Sequence, residues 1–269
     1  MSDAGAVLLR VVAGGAVAAI IAFAARRVHS LSLSGAIAAT IVGTICAAAG
    51  WSWAALLIAF FLSSTALSRL RAAEKARRIY GIVSKGGERD AWQVLANGGV
   101  FTGAAVGWMV MPSPLLLAIA AGSLAAATAD TWGTELGTLA RGAPRLITTW
   151  REAPAGTSGA VTALGSLSVL LGALAFGFAT AVAGWGRPVA IAACIGGIAG
   201  ALADTLLGAV LQSRRWCATC ESATEQRVHR CGSHTVARGG VAWLDNDAVN
   251  FLCGVVGAAV ALWVIAWTP

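Results

Sequence analysis

Four side chains with metal-ligand chemistry fall in one short stretch: Cys217, Cys220, His229 and Cys231. A Cys-x2-Cys pair followed by His-x-Cys offers three thiolates and an imidazole, a soft donor set that suits tetrahedral zinc. Such a set leaves no open coordination position, so the expected ion is a structural Zn2+ stapling a loop rather than a catalytic one. The alternative is an unmetallated, redox-labile loop. Cys46, Cys194 and Cys253 sit within apolar sequence and read as packing residues.

A second set carries oxygen and cationic nitrogen. Asp130 and Glu135 lie late in one apolar run and Asp204 lies late in another, while Asp247 and Asn250 open a third and Asn97 falls early in a fourth. Upstream runs Lys85-Gly86-Gly87-Glu88-Arg89-Asp90. Lysine beside paired glycines lets backbone N–H groups and an ammonium approach an anion together. The run is not a Walker A motif, and a flexible basic loop is its equal alternative. Each acid also has an ordinary reading: a helix cap for Asp245, Asp247 or Asp90, or a structural pair with a loop arginine for the others.

The elements that must position these groups are membrane helices. Hydrophobic residues make up 58% of the 269-residue chain and charged residues 12%, about half the charged share of a soluble domain. The apolar runs are continuous rather than alternating, which excludes a barrel and leaves an all-α polytopic bundle. Spans are expected near 5–25, 34–50, 52–70, 91–111, 114–138, 158–181, 188–211 and 248–267, about eight in all. Together they form a single integral membrane domain, 1–269, with loop 212–247 inserted between the last two spans. The N-terminal run ends in Arg26-Arg27 and not in small residues, so it reads as a retained span rather than a signal peptide.

With that topology, 17 of the 19 Lys and Arg fall in the loops of one side, and only Arg10 and Arg187 on the other. The positive-inside rule makes the basic side cytosolic, puts both termini outside, and points to the plasma (inner) membrane. It also removes nucleic acid as the reason for the net charge of +7. Trp51, Trp53, Trp108, Trp185 and Trp267 fall at the outer boundary, and Trp150, Trp216 and Trp243 at the inner one, as an aromatic belt would. Ala129-Asp130-Thr131 and Ala203-Asp204-Thr205 echo each other, as do Ser34-Gly35-Ala36 and Ser158-Gly159-Ala160, consistent with a duplicated ancestor or with chance in Ala-rich helices.

Depth gives the acids their meaning. Asp130 and Asp204 each lie about 24 Å from the outer end of their helix, in a hydrocarbon core about 30 Å thick. Both are expected just inside the cytosolic boundary. An acid within a span requires a partner, a metal or water. Polar residues from five regions, Gln212 included, share that depth. Carboxylates beside Lys and Arg suit Mg2+ bridging phosphates, and phosphoryl transfer asks mostly for positioning and charge neutralisation.

The combination resembles the integral-membrane domain-of-unknown-function-92 family. It is carried by Lys85-Gly86-Gly87-Glu88-Arg89-Asp90 with Gln93 and Asn97-Gly98, by Ala129-Asp130-Thr131-Trp132-Gly133-Thr134-Glu135, by Pro144-Arg145, and by Trp243-Leu244-Asp245-Asn246-Asp247 with Asn250. That family includes the plant phytyl-phosphate kinase of vitamin E biosynthesis. The resemblance implies a kinase that moves a phosphoryl group from a nucleoside triphosphate, CTP foremost, to an isoprenoid monophosphate. Asp130, Glu135 and Asp204 would hold Mg2+; Lys85, Gly86, Gly87, Arg89 and Arg145 would bind phosphates; Asn97, Asp247 and Asn250 would orient them. The expected partners are an isoprenoid phosphate, a nucleoside triphosphate and membrane lipid, and a homo-oligomer is compatible with the sequence. Two rival readings stay open: a transporter or lipid flippase, and a non-catalytic scaffold whose zinc loop binds a partner.

Overall fold

The computed structural model describes residues 3–79 and 87–267; Lys85 and Gly86 lie outside these. The described residues form helices α1 (Asp3–Arg27), α2 (Leu33–Ala49), α3 (Trp51–Arg69), α4 (Ala72–Arg78), α5 (Ala91–Val110), α6 (Pro114–Gly137), α7 (Ala163–Val182), α8 (Arg187–Val210) and α9 (Asn246–Ala266). Eight are long, in line with the eight expected spans. Six of them are long and apolar enough to cross a membrane by length and composition. Of the other two, α2 has 17 residues, and α5 carries Gln93 and Asn97 in its first turns.

The helix starts are written locally. Ser32 caps α2 by accepting from the Gly35 N–H. Asp90 and Gln93 close a reciprocal capping box on α5, and Ser113 followed by Pro114 opens α6. Thr162 caps α7, which therefore begins later than the expected residue 158. The delay has a steric cause: Gly159 holds φ +79° against Ala209, where an added Cβ would lie 2.3 Å from the Ala209 Cβ. Ser158-Gly159-Ala160 thus turns into a strand pair, β1 (Arg145–Leu146) with β2 (Ala160–Val161), before the helix starts.

Small residues set the packing of the second half. Added Cβ atoms would meet Gly257 O at 2.4 Å from Gly122 on α6 and at 2.4 Å from Gly196 on α8, so three backbones cross in contact. One turn further, Gly200 faces the Ala126 Cβ at 2.4 Å and the Cys253 carbonyl at 2.7 Å. In membranes such close approach replaces the hydrophobic drive between helices. Consequently α6 and α8 run parallel, and α9 runs antiparallel to both.

Around the far end sits a buried aromatic cluster. Trp53, 1% exposed, lies 5.2 Å from Phe101 and 4.7 Å from Trp185 between ring centroids, and Trp185 Nε1 donates to Ser52 Oγ at 3.0 Å. This corrects the belt assignment for Trp53 and Trp185, whose rings lock helices together; Trp51 and Trp267 do remain exposed. At the basic end, β3 (Arg214–Cys217), β4 (Ser222–Thr224) and β5 (Val236–Gly239) form a small antiparallel sheet in strand order β4-β3-β5, an element the helix-based reading did not contain.

Candidate functional site

The parallel register of α6 and α8 decides where the two intramembrane acids go. Gly122 meets Gly196, and Ala126 meets Gly200. One more turn at the same offset pairs Asp130 with Asp204. On the antiparallel α9, Gly257 and Cys253 mark the same stripe, which continues to Asn250 and then Asp247. The carboxylates of Asp130 and Asp204 lie within electrostatic reach of each other, and both are within reach of Cys253. The following threonines each bond back within their own helix: Thr131 Oγ1 donates to the Ala127 carbonyl at 2.7 Å and Thr205 Oγ1 to the Ala201 carbonyl at 3.0 Å. The Ala-Asp-Thr echo is therefore a spatial pair.

One oxygen of this pair is unsatisfied. Asp204 Oδ2 is shielded from solvent and has no hydrogen-bond partner. A shielded carboxylate oxygen is costly unless a cation or a donor reaches it, so the pair fits a hard divalent cation, which favours oxygen ligands.

A third carboxylate joins from the loop. Glu225, just past β4, is within electrostatic reach of Asp204. It accepts from Gln212 Nε2 at 2.9 Å and from Ser158 Oγ at 2.5 Å, both through Oε1. Gln212 was expected in the polar layer; Glu225 carried no sequence signal, because its approach depends on the fold of the loop.

Glu135 goes elsewhere, which corrects the three-acid metal cage. Five residues past Asp130 on a helix is a rotation of about 140°, so Glu135 faces α3 and α4. There it forms an ion pair with the buried Lys75 and accepts from Ser68 Oγ at 2.5 Å. Lys75 Nζ also donates to the carbonyls of Leu67 at 2.6 Å and Ser68 at 2.9 Å. Among the described residues the only group bringing three or more ligand atoms of Cys, His, Asp or Glu into metal-binding range is the Cys/His cluster.

Arg89 stands beside this ion pair. Its backbone is fixed to the α1–α2 turn: its N–H donates to Ser30 O and its carbonyl accepts from the Ser32 N–H, both at 3.0 Å. Gly35 has no room for a side chain, since a Cβ would lie 2.1 Å from Arg89 O. The guanidinium donates from Nη2 to Ser68 Oγ at 3.2 Å. Burial pushes its pKa down, and the Glu135 charge pulls it back up. Among the described residues, Ser68 Oγ is the one acceptor this five-donor side chain bonds.

Arg145 is not part of the site. It bonds Glu152 at 2.9 Å and the Trp150 carbonyl at 3.0 Å within its own exposed loop, so an arginine expected among the phosphate ligands serves its hairpin. Asn97 gives its Nδ2–H to Gln93 O at 2.9 Å and lines a cavity between α1, α2, α3 and α5, not the acid crevice. Gly87 is exposed, with φ +98°. A cleft of about 320 Å3 under loop 139–157 is also lined by arginine, but its Arg78 is already spent on the carbonyls of Thr138 and Ala140.

The Cys/His residues converge as their spacing predicts. Their four ligand atoms lie within 4.8 Å of one another. Cys217 Sγ and Cys231 Sγ are 3.6 Å apart, and His229 Nδ1 is 3.3 Å from Cys231 Sγ. Edges near 3.7 Å are what a tetrahedron of bonds of about 2.3 Å requires. Hydrogen bonds from Ser233 and His229 pull the Cys231 thiol down to about 5, while hydrogen bonding with Cys231 pushes Cys220 up to about 11. Such a donor set could hold zinc.

Comparison with known proteins adds a family. A family described as integral membrane protein DUF92 matches residues 16–258. Protein PGR of Arabidopsis thaliana is 33% identical over 88% of this chain and 89% of its own. Membrane proteins described as uncharacterized, from Methanocaldococcus jannaschii and Synechocystis, are 30% identical over 77% and 28% identical over 81% of this chain, covering 85% and 76% of theirs. No solved structure matches.

Proposed function

The chain belongs to the DUF92 family of integral membrane proteins, and on that premise we propose that it is a membrane phosphotransferase whose acceptor is an isoprenoid monophosphate. The observation that carries this reading is the Asp130–Asp204 pair, held by a Gly-packed register, with an unsatisfied oxygen. An oxygen of the acceptor phosphate attacks the terminal phosphorus of a nucleoside triphosphate such as CTP. The bond to the bridging oxygen breaks, leaving an isoprenoid diphosphate and a nucleoside diphosphate. The acceptor is already anionic, so no strong base is required.

Asp130 and Asp204 would hold Mg2+, which when bound neutralises charge on the transferring group. Arg89 binds the acceptor phosphate, and Asn250 and Asp247 orient the donor phosphates together with Lys85, Gly86 and Gly87. Glu225 steadies the crevice through Gln212. Glu135 and Lys75 brace the third and sixth helices against each other. The basic end faces the cytosol, where nucleotide is available, and both termini lie outside. The Cys/His cluster binds a structural zinc that fixes the loop carrying Glu225.

Purified protein supplied with Mg2+, CTP and a panel of geranyl, farnesyl, geranylgeranyl and phytyl monophosphates is expected to form the corresponding diphosphate. A panel-wide absence of product, beside an active control kinase and with other nucleoside triphosphates also tried, rejects the reading.

A further inference from the structure

An apolar cavity of about 310 Å3 lies along α1, α2, α3 and α5. That is at the lower end of the range for small-molecule sites, about 300–1,000 Å3, and far larger than the voids of a close-packed interior. Gly14, Trp51 and Ala54 line one end, and Ala22, Phe61 and Arg89 the other. From Trp51 to Phe61 along α3 is about 15 Å.

The cavity sits in a seam. Both α1 and α3 line it, yet α1 packs mainly on α2, and α3 packs on α2, α6 and α7. Its edge is open to the surrounding apolar phase, since the lining residues Val17 and Ala55 are exposed. Among the described lining residues Arg89 is the only charged one. The neighbouring Gln93 side chain is committed to the capping box through its Oε1, and Asn97 Nδ2–H to the Gln93 carbonyl. Arg89 therefore offers the charged donor group at the polar end.

We propose that this seam holds the tail of the acceptor. A single isoprenoid chain enters sideways from the bilayer between α1 and α3, lies against α2 and α5, and sets its phosphate on Arg89. This rests on the phosphotransferase reading for the identity of the chain. The positive charge at the Arg89 end matches an anionic head, and the volume suits one chain rather than the two of a bilayer phospholipid. Glu135, whose charge reaches Arg89, lies about 7.5 Å along α6 from Asp130 on a face turned about 140° away.

The test uses full-length protein in nanodiscs and geranylgeranyl monophosphate carrying a diazirine on its tail. Mapped by mass spectrometry, labelling is expected on seam residues such as Ile21 and Ile58. Excess untagged geranylgeranyl monophosphate should abolish it, and excess phosphatidylglycerol should not. Ala54→Trp, or Ile58→Trp where the first does not fold, should reduce labelling at least tenfold. Labels confined to α6, α8 and α9, or competition by phosphatidylglycerol alone, overturn the tail site. Diphosphate formation with an unlabelled seam rejects the tail site and leaves the activity; a labelled seam in a protein that makes no diphosphate does the reverse.

Discussion

Two helix seams of the molecule are packed in opposite ways, although α1 and α2 also meet closely at Gly14 and Gly43. Between α6, α8 and α9, glycines at 122, 196, 200 and 257 bring three backbones together with no space for a methyl group. Between α1, α3 and α5, a cavity of about 310 Å3 persists. The close-packed seam carries the two acids, and the loose seam ends in Arg89. The difference teaches a division of labour: carboxylates that share a cation need positions fixed to a fraction of an ångström, whereas a greasy chain needs room and a way in.

Perturbing the close-packed seam should be the most damaging. Gly257→Ala places a Cβ 2.5 Å from Gly122 O, and overpacking of that kind costs about 3 kcal/mol. A large fall in detergent melting temperature is expected; an unchanged one would mean that the three helices do not cross there. Next comes Lys75→Met, which leaves Glu135 without its cationic partner and costs about 3 kcal/mol, again read as melting temperature, with the acid crevice itself intact. Arg89→Gln should raise KM for the isoprenoid phosphate about tenfold or more, while Arg145→Gln leaves it unchanged because that side chain is held by Glu152. Equal effects of the two would show that the contrast between Arg89 and the loop arginine is wrong. Removing zinc with a chelator should lower activity only a few-fold, by loosening the loop that presents Glu225, and metal analysis should find one zinc per chain beforehand. Smallest of all, Gly103→Ala in α5 meets nothing within 4 Å and should be neutral or stabilising by less than about 1 kcal/mol.

The helices were legible because a membrane imposes long apolar runs and basic loops, and each expected span reappears as a helix with ends shifted by only a few residues, six of them long and apolar enough to cross a membrane. The late start of α7 was not, since it depends on Gly159 meeting Ala209 across the fold. For the site, depth could be counted along a helix but the face needed packing partners. Asp130 and Asp204 share both. Glu135 shares depth alone, and its turn toward Lys75 follows from helical rotation that an inventory of acids at one level ignores. Glu225, Lys75 and Ser68 were missed because their roles come from contacts distant in sequence. The Cys/His cluster was readable from spacing alone, as short-range ligand sets are.

The central claim is that Asp130 and Asp204 act as one unit, and a double-mutant cycle on isoprenyl-diphosphate formation tests it most directly. Asp130→Asn and Asp204→Asn should each lower kcat/KM at least a hundredfold, about 2.7 kcal/mol, with the double variant scarcely worse than either. Silent single variants, or losses that simply multiply, would contradict a shared site.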